Sequence, residues 1–145
     1  MTAPLYNQQI LRLAANTPST RLAAPMASVE KRSPVCGSRV TVDIDVDRDG
    51  RVSAIGMLVR ACALGQASAT LMATEAVGKS PTELAEARDA LAAWLAGAGA
   101  MPEWPGIDIF TPALPHSARH ASIRLAFEAV AEAAAIASAN AQAAA

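Results

Sequence analysis

The chain has 145 residues, about the size of one domain, and 52% of them are hydrophobic, enough to bury a substantial core. Thirteen acidic residues against twelve basic ones leave a formal charge of -1, which gives no electrostatic footprint for nucleic acid or an anionic membrane surface. The N-terminus lacks a basic start followed by an apolar run, and no later stretch is apolar for long enough to span a bilayer, so the expected location is cytoplasmic and the expected unit a single domain over 1–145.

In chain order, "PLYNQQILRLAA" sets Leu5, Ile10, Leu11 and Leu13 among polar residues at helical period, and "NTPST" breaks that pattern. The mixed stretch up to Ser33 has no clear period; it is read as irregular, with room for one short edge strand. From Val40 to Asp47 the sequence alternates strictly. Val40, Val42, Ile44 and Val46 fall on one face, and Thr41, Asp43, Asp45 and Asp47 on the other, which is expected to be solvated. Asp49-Gly50 then supplies turn residues, and "RVSAIGMLV" runs back as the partner strand of an antiparallel hairpin.

After Cys62 the period becomes helical through "ALGQASATLMATEAVG", closing at Gly78. Ser80-Pro81-Thr82-Glu83 restarts a helix, with Ser80 as cap, Pro81 in the first turn and Glu83 three residues after the cap. Four prolines between Gly97 and Pro115 point to a long loop, flanked by Trp94 and Trp104 as anchors to the core. A last helix is expected from Ser117 to about Ala139, with the alanine-rich tail fraying. Without strand-helix-strand alternation, this order predicts an α+β domain: a small antiparallel sheet, hairpin plus edge strand, covered by helices.

Two features carry chemistry. Cys36 stands in the loop before the hairpin, and Cys62 stands where the second hairpin strand gives way to a helix, so two strand-adjacent loops can meet. A thiol at a helix start faces free backbone N–H groups, which favours the thiolate that binds metal or accepts sulfur. Gly37 would let the backbone beside Cys36 approach another group. His116 and His120 are four apart and, if both lie in the last helix, share a face and could complete a two-cysteine, two-histidine site. No base partner is visible for Ser122, which reads as a cap or small packing residue and not a nucleophile.

Two motifs in register around the hairpin, and a third stretch near the start of the last helix, resemble the iron-sulfur cluster assembly scaffolds of the NifU N-terminal, IscU and SufU type. Pro34-Val35-Cys36-Gly37 is similar to that family's Pro-x-Cys-Gly-Asp before the hairpin. Cys62-Ala63-Leu64-Gly65-Gln66-Ala67-Ser68-Ala69 is similar to its Gly-Cys-x-x-Ser-x-Ala-Ser helix start. Arg119-His120-Ala121-Ser122-Ile123-Arg124-Leu125-Ala126 is similar to the Arg-x-x-Cys-x-x-Leu-Ala of the last helix.

The resemblance implies a SufE/NifU-like fold, and the long interval between Cys62 and Ser122 looks like the SufU branch. It also implies a scaffold or zinc-dependent sulfur acceptor, not a stand-alone enzyme, that works with a cysteine desulfurase. The implied ligands are Cys36 and Cys62, for an iron-sulfur cluster, iron or zinc. Ser38 replaces the family's aspartate and Ser122 its third cysteine, and Ala121 offers no ligand where the IscU branch has histidine. A serine hydroxyl is a poor ligand for zinc or iron. Two thiols per chain leave three readings: a depleted metal site, which a homodimer pooling four cysteines could complete; a protein-interaction module that keeps the fold and binds no metal; or a thiol pair that forms a disulfide when metal is absent.

Overall fold

The computed structural model describes residues 5–34 and 37–144. Its elements run α1 (Gln8–Ala15), β1 (Ala27–Arg32), β2 (Arg39–Val46), β3 (Val52–Arg60), α2 (Ala63–Ala76), α3 (Pro81–Leu95) and α4 (His120–Ala144). The three strands form one antiparallel sheet in the order β1-β2-β3, so the hairpin and the edge strand are both present. Gly50, at a φ of +79°, supplies the left-handed residue of the hairpin turn.

One face of the sheet carries the core. Val40, Val42 and Ile44 are fully buried beneath α4, which lies across β1 and β2 and also packs on α2 and α3. The α4 residues that enter this layer are mostly small: Ala126, Ala129, Ala133, Ala134 and Ala137 are all buried, so the helix can lie close to the strands. Helix α2 has buried residues all round because α1 covers one side while β3 and α4 cover the others. The α1 face is narrower than expected. Ile10 is buried, whereas Leu11 is exposed.

Three expectations need correction. The Gly97–Pro115 stretch is not wholly loop, since Ile107–Ala113 forms a 3₁₀ helix that buries Ile107 and Phe110 and tolerates Pro112 near its end. Trp94 and Trp104 do anchor this region, and the Trp104 indole N–H donates to the Leu71 carbonyl at 2.9 Å while its ring meets Phe127 edge-on. The alanine tail continues as helix to Ala144. The capping box at Ser80 and Glu83 is present as expected.

The third correction concerns the outer sheet face. Asp43, expected in water, is fully buried. The segment between α1 and β1 crosses this face as a strap: Thr20 accepts a hydrogen bond from the Met57 N–H on β3, and Leu22 donates its N–H to Asp43 at 3.1 Å. Arg21 grips the same carboxylate with two hydrogen bonds of 2.7 and 2.9 Å, and the Ser28 hydroxyl donates at 2.7 Å. Gly56, the cross-strand partner of Asp43, makes the crossing possible, because a Cβ there would stand 2.6 Å from the Leu22 nitrogen. Asp45 holds the far end of the strap by accepting from Met26 N–H at 2.9 Å, while Asp47 stays exposed in the turn.

The hydrogen bonds from Arg21, helped by Ser28 and Leu22, hold the Asp43 carboxyl below the usual carboxylate range despite its burial. A carboxyl depressed on folding stabilises the native state fully above its unfolded value of about 3.9, and that contribution is lost as pH falls through the folded value. Asp43→Asn should therefore cost about 2 kcal/mol at neutral pH. In chemical denaturation followed by circular dichroism, the gap between wild type and variant should narrow as pH falls below about 4.

Candidate cysteine site

The hairpin register sets the geometry. Arg39 pairs with Arg60 and Arg32 with Arg39, so the connection between β1 and β2 and the exit of β3 into α2 leave the sheet at the same end. Within that connection the Ser33 N–H donates to the Ser38 carbonyl at 2.9 Å and the Gly37 N–H to the Ser33 carbonyl at 3.1 Å, which closes a tight turn. Gly37 has a φ of +72°, and no described atom lies within 4 Å of where its Cβ would stand. That positive φ is one that glycine adopts without strain. Cys36 lies outside the described residues, bracketed in sequence by Pro34 and Gly37.

Cys62 is the N-cap of α2, in extended conformation, half-buried, and its side chain makes no capping hydrogen bond. The thiol therefore stands where the first N–H groups of a 14-residue helix emerge. One turn on, Gly65 faces the start of α4: a Cβ there would lie 3.3 Å from the Ser122 carbonyl oxygen and 3.7 Å from its Cβ. Ser68 fastens the two helices further by donating its hydroxyl to the Ile123 carbonyl at 2.6 Å. The structure thus brings Ser122 beside the opening turn of α2, and both Ser122 and Ser38 are buried.

The histidines are arranged differently from the shared helical face considered in the sequence. Helix α4 begins at His120, and a 3₁₀ turn, Ser117–Arg119, separates it from His116, so the two do not lie on one face of an α-helix. His120 is buried with Nε2 2.9 Å from the Ala113 carbonyl, which joins it to the 3₁₀ helix of the proline-rich region. His116 is exposed. Among the described residues no three of His, Cys, Asp and Glu converge as a metal-binding group. The described part of one chain therefore does not by itself complete a four-coordinate metal or cluster site. Sequence reading did not single out Gly65, whose role appears only once α4 is placed against α2.

No protein-family model and no curated protein matches the sequence. Among solved structures, the N-terminal part of a nitrogen-fixing NifU-like protein from Brucella abortus is 41% identical, with 91% of this chain and 93% of that one covered and a TM-score of 0.85. The chain belongs to the NifU-like family of iron-sulfur assembly scaffolds. A putative iron-sulfur cluster assembly scaffold protein for the SUF system of Fervidobacterium islandicum superposes with a TM-score of 0.81 over 90% of this chain and 96% of that one. At 19% identity, what it shares with this NifU-like chain is the fold. Among the described residues no helix is long and apolar enough to cross a membrane.

Gly65→Ala tests the contact that seats Ser122. The added methyl would also sit 2.7 Å from the Ala61 Cβ, and a packed helix pair cannot absorb both contacts without moving. The expected loss is about 1–3 kcal/mol in denaturant unfolding.

Proposed function

We propose that this protein is a single-domain scaffold-type component of iron-sulfur cluster assembly whose working groups are Cys36 and Cys62, and that it receives sulfur from a cysteine desulfurase. The observation that carries this reading is the position of Cys62: a half-buried thiol at the start of α2, at the sheet end where the Pro34–Gly37 connection also emerges. In such a transfer the accepting thiolate attacks the terminal sulfur of the donor's persulfide. A new S–S bond forms, the donor's S–S bond breaks, and the donor cysteine leaves as a thiolate. Iron or a nascent cluster is then cargo. With serine at 38 and 122, one chain offers two thiolates, so a complete site needs further donors from a second copy or from the partner.

A second reading has its own support. Ser38 and Ser122 are buried within the fold, and such positions are compatible with a protein-interaction module that has given up metal binding. Metal analysis of protein purified without added metal, together with a free-thiol count, separates the two.

Incubation with a cysteine desulfurase and cysteine should add one or more sulfur atoms to the intact mass of the wild type. The Cys36→Ala, Cys62→Ala double variant should gain none. If the wild type also gains none, with its fold intact by circular dichroism, the sulfur-acceptor reading fails.

A second test restores the missing ligands. Ser38→Asp combined with Ser122→Cys should tighten zinc binding at least about tenfold, because each change adds an anionic donor, and should release additional thiol protons on binding. Cys62→Ala in that background should remove the gain. Competition with a chromophoric chelator reads the affinity, and an unchanged midpoint would mean that Ser122 does not point toward the thiols.

A further inference from the structure

The outer face of the sheet carries a feature that sulfur chemistry does not use. Arg32, Arg39 and Arg60 are directly paired across all three strands, one guanidinium per strand, in the last register before the β1–β2 connection and α2. They share a single carboxylate: Glu30 lies 3.3 Å from Arg32 and 3.9 Å from Arg39. Arg60 is exposed and makes no ion pair among the described residues. Three cations against one anion leave a surplus of two positive charges, on a chain whose net charge is -1. Like charges set directly opposite one another in a sheet are destabilising, so the row works against folding.

The floor beside the row is not purely polar. Glu30, Arg39, Thr41, Leu58 and Arg60 line a recess of about 170 Å³, and Leu58 and Thr41 are half-buried. A neighbouring recess is lined by Arg32, Ser33, Pro34, Gly37 and Arg39, so Arg39 joins the sheet face to the connection that carries Cys36 in sequence. Adjacent strands lie about 4.8 Å apart, so the row is only about 10 Å wide. That is the width of a short peptide segment, and the carboxylate of Glu30 within it disfavours a polyanionic phosphate backbone.

We infer that this arginine row is a docking surface for an acidic segment of a partner protein, with carboxylates on Arg39 and Arg60 and an apolar side chain over Leu58. A partner seated there abuts the sheet end from which Cys62 emerges. The inference does not depend on what the thiols carry.

The test uses the full chain and a fluorescein-labelled peptide of glutamates flanking one leucine, read by fluorescence anisotropy. Wild type should bind it, with affinity falling as salt rises. Arg39→Gln with Arg60→Gln should weaken binding about tenfold or more while leaving the melting temperature unchanged or raised, because relief of cross-strand repulsion offsets what is lost. Arg12→Gln with Arg48→Gln, which removes the same charge elsewhere on the surface, should bind like wild type. The proposal is overturned by any of four results: no binding at low salt, equal weakening in both double variants, displacement of the peptide by millimolar inorganic phosphate, or tighter binding of oligodeoxythymidylate than of the peptide. It is also overturned if Arg39→Gln with Arg60→Gln lowers the melting temperature and the lost binding returns on cooling, since the row would then be structural.

Discussion

The carboxylate of Asp43 organises the molecule. Helix α1 packs on α2, whereas β1 occupies the far edge of the sheet, so the chain between them must cross from one side to the other. It crosses over the outer face, and it can lie flat because Gly56 presents no side chain and because Arg21, Leu22 and Ser28 all donate to one buried acid. Fixing β1 adds the edge strand to the hairpin, so that α4 lies across both β1 and β2, over Val40, Val42 and Ile44. An acid buried among four donor hydrogen bonds also selects one path for the strap, since an alternative crossing would leave the charge unpaired in the interior.

This dependence explains which parts of the fold were legible in the sequence. The hairpin declared itself through strict alternation and Asp49-Gly50, and α3 through its capping box, because both signals are local. Alternation assigns Asp43 to the face opposite Val42 and Ile44, which is correct. It cannot say that a strap arriving from twenty residues upstream will cover that face. The 3₁₀ helix at Ile107–Ala113 was hidden for a related reason. Its prolines argue against α-helix, and its order comes from Trp104 and Phe110 reaching the core, a tertiary effect.

The candidate site was legible to the same depth. Placing Cys62 at a helix start required only the change of period after Cys62, and the hairpin register then brings that end of the sheet together with the Ser33–Ser38 turn. The seating of Ser122 against Gly65 depends on how α4 docks, which no local pattern encodes. The condition on which the histidine spacing would have put both rings on one helical face is not met, because a 3₁₀ turn, not an α-helical one, joins His116 to His120. The arginine row could not be read either, since Arg32 enters it only through the register of an edge strand that has little periodic signal of its own.

The groups at the thiol end of the sheet come from far apart in the chain: Ser38 at the close of the β1–β2 connection, Cys62 at the opening of α2, and Ser122 at the opening of α4. No short stretch of the unfolded chain holds the openings of α2 and α4 together, so the contact of Gly65 with Ser122 exists only in the native state. A ligand held across those two helix openings would bind the folded protein in preference to the unfolded one and shift the folding equilibrium by mass action. Binding and folding would then be two readings of one thermodynamic cycle, and release of such a ligand would return the chain to the stability set by its strap and its alanine-packed helix alone.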